Sequence, residues 1–232
     1  IFSTAKYIGT GCNRNDPNLN DCVVRKGSPA IKKVVQGDPE YRIPRLEPLV
    51  IDSLSIGRGT KQVGLVLTCT NCTLYGLQNT KFVRSEVNLK NKTCVWHMEL
   101  DKLEVRGKYN VTGKVLLLPI TGNGKAKFTF SKIVFSYAYD WILDKKSNGF
   151  EYVNIQNGQL KFKVGKMTID LENLFNGDKL LGENMNKFLN ENWQEILKDI
   201  QPALVESLSA VFKTILNAMA ELVPYDNMFP ND

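Results

Sequence analysis

The segment NKFLNENWQEILKDIQPALVESLSAVFKTIL, residues 186–216, limits the folds open to this chain more than any other stretch. Leu189, Trp193, Ile196, Ile200, Leu204, Leu208, Val211, Ile215 and Met219 recur every three or four residues, which is one apolar stripe on a helix. The stripe keeps its phase across Pro202, where a helix would normally stop. Read as one element, it predicts a helix from about Asp178 to Val223, roughly 60 Å long at ~1.5 Å per residue. A compact chain of 232 residues is a ball roughly 45 Å across. Either Pro202 breaks the helix into two packed halves, or an elongated body wraps it lengthwise. Because the phase is kept, the expectation is a bend in one continuous helix, opened locally at the Lys198 carbonyl four residues back.

The rest of the chain can supply the wrapping. Residues 17–36 predict a short helix, strained by Gly27 and restarted by Pro29 at a first-turn position. Prolines 39, 44 and 48 then argue for an extended crossing segment. From Lys61 to Leu171 strand follows strand. GKVLLLPITGNGKAKFTFSKIVFSYAYDWIL predicts two strands joined at TGNGK, where glycines supply positive φ. FEYVNIQNGQLKFKVGKMTIDLENL predicts a last pair. No long helix intervenes, so pairing should be antiparallel and meandering. In β-rich residues 126–141, inward parity passes from Phe128 and Phe130 to Ile133, Phe135, Tyr137, Tyr139 and Trp141, so an extra residue near Ser131–Lys132 should bend the sheet. Long, bulged strands twist and coil strongly. The expected fold class is α+β: a long C-terminal α-helix wrapped by a highly curved antiparallel β-sheet in an elongated body.

Length suits one or two domains, and the 43% hydrophobic content is ordinary for a globular core. No run of eighteen uninterrupted apolar residues occurs, so stable membrane insertion is not expected. The net charge of +6 is spread over scattered lysines (IKKVV, DKKSN, KAKF), a solvated surface rather than a nucleic-acid face. The opening IFSTAKYIGTGC fits a mature protein freed of a signal peptide. Cys12 and Cys22 bracket the polar, turn-rich NRNDPNLND, and a disulfide closing that loop would tie down the N-terminal region. Cys69, Cys72 and Cys94 leave an odd number, so at least one free thiol is expected. Zinc is the weaker alternative at Cys69 and Cys72, with only Cys94 and His97 as further ligands. Glycosylation acceptors at Asn71, Asn91 and Asn110 join the cysteine loop in pointing to a secreted, extracellular glycoprotein.

CNRNDPNLNDC, IPRLEPLVIDSLSI, LYGLQNTKFV, GKVLLLPITGNGK and above all LENLFNGDKLLGENMNKFLNENWQEIL resemble the insect takeout proteins, relatives of the juvenile-hormone-binding proteins. So does the ending VPYDNMFP. The resemblance spans nearly the whole chain in the family's order. It implies one domain over residues 1–232, akin to one module of the tubular lipid-binding proteins. It also implies secretion, a Cys12–Cys22 disulfide and transport of a hydrophobic ligand in an internal tunnel. Cys69, Cys72 and Cys94 lie outside the family motif, and their pairing stays open.

Enzyme signatures are weak. His97, the only histidine, sits between Trp96 and Met98 in a strand, a structural or surface position. Asp170 and Glu172 share strand parity, as many exposed carboxylates do. No G-x-S-x-G, phosphate loop or H-E-x-x-H occurs. Candidate ligand contacts are therefore apolar. On the helix they are Phe188, Trp193, Ile196, Ile200, Leu204, Leu208 and Phe212. On the strands they are Met98, Leu100, Phe128, Phe130, Phe135, Tyr137, Tyr139 and Trp141, about half of which the parity slips could turn outward. Tyrosine hydroxyls would give an amphipathic ligand its few polar handles. The expected partner of this monomer is a long-chain lipophilic small molecule, with no cofactor, no metal and no catalytic residues. A structural or protein-interaction module with a filled core is the alternative.

Overall fold

The computed structural model of the chain describes residues 11–40, 42–56 and 64–231. Residues 61–63, at the expected start of the strand region, lie outside them. The strands are β1 (Leu49–Ile56), β2 (Leu65–Tyr75), β3 (Lys81–Asn88), β4 (Thr93–Val115), β5 (Leu118–Lys145) and β6 (Glu151–Leu171), and the helices α1 (Leu19–Val34), α2 (Lys179–Glu191), α3 (Trp193–Ala220) and α4 (Tyr225–Met228). All strand pairs are antiparallel, in the order β1-β2-β4-β5-β6. β2 and β3 lie end to end along one side of β4, which pairs with β3 near its start and with β2 toward its end. The fold is α+β, a long antiparallel sheet with a long C-terminal helix, as expected.

Two glycine-rich segments do not turn. The β4–β5 hairpin reverses at Leu116–Leu117, between Val115 and its partner Leu118, and TGNGK lies inside the 28-residue β5. Its glycines provide space: a Cβ on Gly122 would come within 2.7 Å of the Tyr109 hydroxyl, and one on Gly124 within 2.5 Å of the Glu172 carbonyl. Likewise QNGQ does not divide a last pair of strands; β6 is one strand of 21 residues. The register slips there between Tyr139 and Trp141, and Asp140 accepts from the Asn157 backbone N–H at 3.0 Å. Gly158 leaves room for the Tyr137 ring, which would collide with any side chain at that position.

The parity switch at Ser131–Lys132 is present but is not an added residue. Lys132 has φ 54°, and pairing resumes on both sides of it with unchanged register. The neighbouring strands switch at the same level. In β4 the buried positions pass from Cys94, Met98 and Leu100 to Tyr109 and Val111; in β6 they pass from Leu160 to Met167, Ile169 and Leu171. Asp101, Lys132 and Gly165 thus form one unpaired row across three strands. A Cβ on Gly165 would meet the Lys132 side chain at 2.8 Å.

The C-terminal helix is two helices, and the break is not at proline. Asn192 (φ −111°, ψ 23°) separates α2 from α3. Its side-chain Nδ2 donates to the Phe188 carbonyl at 2.8 Å, the local competition with helical bonding typical of asparagine. α3 then runs unbroken through Pro202 for 28 residues, about 42 Å. Pro202 and Lys198 both lie on its exposed side, where water can satisfy the carbonyl deprived of its partner. α1 also continues through Gly27 and Pro29 instead of restarting. Gly27 faces the Phe82 ring, which a Cβ would approach to 2.7 Å.

β6 is an edge strand whose outward backbone groups would lack partners. Helix side chains supply them. Leu171 N–H donates to Asn186 Oδ1 at 3.0 Å, and Asn186 Nδ2 donates back to the Leu171 carbonyl at 2.9 Å. Asn190 bonds Ile169 in the same two-way fashion, at 2.9 and 2.6 Å, and Asn217 bonds Ile155 at 2.8 and 3.3 Å. Between them Ser209 Oγ accepts from Leu160 N–H at 3.1 Å, and Gln201 Nε2 donates to the Phe162 carbonyl at 3.0 Å. The pair α2–α3 replaces a seventh strand. On β3, Asn20 of α1 accepts from Val87 N–H at 2.7 Å. By length and composition α3 could cross a membrane, yet these bonds and its apolar stripe tie it to the sheet.

Candidate ligand-binding interior

Three levels of packing follow one another along the helices. At the α2 end, Met185, Leu189, Ile196, Leu197 and Ile200 meet Tyr109, Val111, Met167, Ile169 and Leu171, all buried, with Phe128, Phe130, Phe188 and Trp193 half-covered against them. In the middle, Met98, Tyr137 and Leu160 are buried, but the large side chains around them are only half-covered: Phe82, Trp96, Phe135, Tyr139, Phe162, Val205, Leu208, Phe212 and Leu216. At the far end, Cys94, Trp141, Val153, Ile155, Ala220 and Tyr225 are buried, with Tyr139, Leu216 and Phe229 half-covered against them. Between Ile200 and Ala220 no residue of α3 is fully buried. Apolar side chains that meet across an interior normally pack to crystal-like density. Here they face one another and keep accessible surface.

None of the fifteen candidate contacts is exposed. Met98, Leu100, Tyr137, Trp141, Ile196 and Ile200 are buried, while Phe128, Phe130, Phe135, Tyr139, Phe188, Trp193, Leu204, Leu208 and Phe212 are half-buried. Phe212 stacks on Tyr137 at 5.1 Å and meets Phe135 edge-on at 6.3 Å, which joins helix to sheet. Within the stripe, Val211 turns outward and is 39% exposed. The sequence reading missed Phe82, Trp96, Phe162, Val164, Val205 and Leu216. Phe162 and Val164 were accessible to it, since they alternate with lysines in QLKFKVGK.

A cavity of about 190 Å³ lies where α1, the sheet and the C-terminal segment converge. Cys94, Trp96, Tyr139, Trp141 and Ile155 line it from the sheet, Leu216 and Met219 from α3, Val23 and Lys26 from α1, and Met228 and Phe229 from the C-terminal segment. The Lys26 ammonium is turned to the Gly11 carbonyl at 2.6 Å. Among the described residues the buried Trp141 indole N–H has no partner, and the Trp96 N–H has the Cys94 sulfur, a weak acceptor, beside it. Burial raises the Tyr139 hydroxyl well above its ordinary pKa, with the Cys94 thiol adding to the shift. The interior thus offers neutral groups, with no charge directed at a ligand from the aromatic strands.

This end is closed by both termini of the described chain. Cys12 and Cys22 are disulfide-bonded, with Cα atoms 5.9 Å apart. Cys12 N–H donates to the Met228 carbonyl at 2.9 Å, and Arg14 reaches the Phe229 carbonyl at 2.7 Å and Asp226 at 2.6 Å. Cys69 and Cys72 are bonded to each other across a bulge in β2, so the zinc alternative loses two ligands. Gly107 on β4 makes room for both sulfurs. Cys94 is free and buried, and burial pushes its pKa up to about 11. Native protein should therefore show no thiol reactive with Ellman's reagent at pH 8, and unfolded, unreduced protein one. Three thiols after unfolding would mean that one of the two disulfides is reduced.

His97 lies on the outer face, 2.9 Å from Glu86, which also pairs with Arg84 at 2.6 Å. Asp170 and Glu172 are exposed. Asn71, Asn91 and Asn110 are exposed as well.

The crystal structure of Epiphyas postvittana takeout 1 matches this architecture with a TM-score of 0.86 and 25% sequence identity, over 95% of this chain and 99% of that one. In sequence, the circadian clock-controlled protein daywake of Drosophila yakuba is 30% identical over 215 residues, 90% of this chain and 83% of that protein. Its Drosophila melanogaster namesake is 29% identical over 221 residues, 91% and 84% of the two. Residues 2–230 match the haemolymph juvenile hormone binding protein (JHBP) family. With that match over nearly its full length, and with the takeout architecture built around a half-open apolar interior, the chain belongs to the JHBP family.

Proposed function

We propose that the chain is a secreted, monomeric carrier, one domain over residues 1–232, that holds a long, neutral or weakly polar lipophilic molecule between the sheet and α3. One observation carries this reading: large apolar side chains facing one another across the sheet and α3, from Phe128, Phe130 and Trp193 through Phe135, Phe162 and Phe212 to Tyr139 and Leu216, stay half-covered, and between Ile200 and Ala220 no residue of α3 is fully buried. The candidate contacts on α3 and the strands would form the lining. Binding would rest on apolar area removed from water, at ~25 cal/mol per Å² before ordering costs. An interior following α3 extends over roughly 40 Å, which favours long, thin cargo such as a polyprenyl or long acyl compound over a compact terpenoid. Trp96, Trp141 and the tyrosines would meet a single polar group. The disulfides and the exposed glycosylation acceptors support an extracellular setting.

Delipidated protein titrated with a fluorescent fatty acid should take it up saturably, and long unlabelled chains should compete. Native mass spectrometry of protein purified without delipidation should reveal a long-chain lipid. Failure of competable uptake would favour a filled structural core, and tight preference for a short, rigid terpenoid over every longer chain would overturn the proposed cargo.

A further inference from the structure

The β4–β5 hairpin turns through two leucines, positions that such loops normally give to Asn, Asp or Gly. Leu116 adopts φ 56°, a region bulky L-residues avoid. Leu117 is 91% exposed and Leu118 42%. With so little of it covered, Leu117 adds almost nothing to the core. The first turn of α2 adds Leu180 and Leu181, 70% and 50% exposed. Both elements belong to the same end of the molecule. Leu116 and Phe175 pack on the cluster that contains Val115, Ile120 and Leu174, Gly122 bridges to Leu174, and Gly182 lies against the Leu174 side chain. This end is opposite the disulfide-closed one.

We propose that this leucine tip docks the protein onto a lipid bilayer that carries anionic headgroups. Three features select that occupant. The patch is a projecting turn and a helix end, which can enter hydrocarbon without a complementary partner surface. Its four leucines present well short of the ~800 Å² per partner that a stable protein interface covers, which argues against a second copy. Exposed Lys114 and Lys179 flank it, with the exposed carboxylates of Asp178, which caps α2 through the Leu181 N–H at 3.0 Å, and Glu183 beyond the leucines on α2. Leu116 joins the tip to the cluster on which Phe128, Phe130 and Trp193 pack, so a docked tip would set the apolar interior close to the bilayer. That purpose rests on the carrier reading; docking itself does not.

The experiment is co-flotation of cargo-free protein with phosphatidylcholine vesicles, with and without 30% phosphatidylserine. Wild-type protein should float with the anionic vesicles. Leu117→Asp should weaken partitioning at least tenfold while keeping its thermal unfolding midpoint and its uptake of the fluorescent fatty acid in solution. Lys114→Glu combined with Lys179→Glu should abolish the preference for anionic vesicles. The proposal is overturned if wild-type protein floats with neither vesicle, if Leu117→Asp floats as wild type does, or if Leu117→Asp only dissolves a dimer seen by sedimentation. Loss of fatty-acid uptake with flotation intact would defeat the carrier reading and leave the docking surface standing.

Discussion

Leu208→Asp is expected to weaken fatty-acid uptake at least a hundredfold while leaving the helical circular dichroism of the protein intact. Leu208 projects from the middle of α3 among Phe135, Tyr137, Leu160 and Phe212, where it is only half-covered. An ionised carboxylate there faces apolar groups and no cation, and its short stem cannot carry the charge out to solvent. Empty protein can hydrate the carboxylate within the open interior, so the fold survives. A lipid chain must strip that water, so binding bears the cost, about 2.7 kcal/mol or more for the stated loss. Ala210→Asp, on the exposed face two residues on, is the control and should change affinity less than twofold. Equal affinity of Leu208→Asp and wild-type protein would place the cargo elsewhere.

The double substitution Asn186→Leu and Asn190→Leu should cost about 3 kcal/mol of stability or more, read as a fall in the urea midpoint. Both amides bond an N–H and a carbonyl of β6, at Leu171 and Ile169, residues whose side chains are fully buried. Leucine is the better helix former and removes no packing volume, so propensity and cavity effects oppose the expected sign. The loss comes from edge groups that lose their partners in a place water reaches poorly, about 1–3 kcal/mol for each unsatisfied group. For a chain of this size the melting point should drop by roughly 10 °C. A change within about 0.5 kcal/mol would mean that water replaces the amides, and that the helix is held by its apolar stripe alone.

The helix stripe, the strand region and the inward positions of β5 were legible because periodicity records which face meets the core. Other features were hidden because one residue type serves two physical ends. Gly122, Gly124 and Gly158 look like turn glycines, but a missing Cβ also lets another chain segment approach closely, and sequence does not separate these uses. The reversal instead falls on Leu116–Leu117, where propensity argues against it. Asn186, Asn190 and Asn217 read as part of a solvated helix face, since nothing local reveals a strand edge beside them. Pro202 is the stronger helix breaker by rank, yet it lies on the exposed side of α3, where its cost is small, and Asn192 makes the break. The candidate lining was recoverable as a face, but not the space before it: packed and open walls have the same composition.

The unpaired row of Asp101, Lys132 and Gly165 has a consequence for how this body can change in length. Side chains alternate with strict period, so deleting Lys132 alone would set Phe128 and Phe130 on one unbroken alternation with Ile133, Phe135 and Tyr137, while β4 and β6 kept their switch, and one half of β5 would then pair out of phase with both neighbours. The three strands behave like the tumblers of a lock: the distance from the row to either end is fixed in each by the other two. A shorter or longer lineage of this fold must alter β4, β5 and β6 together, by matched steps, or confine its insertions to the turns. Cargo length and sheet length are then tied, and a change in the size of what is held would have to be written three times in the sequence.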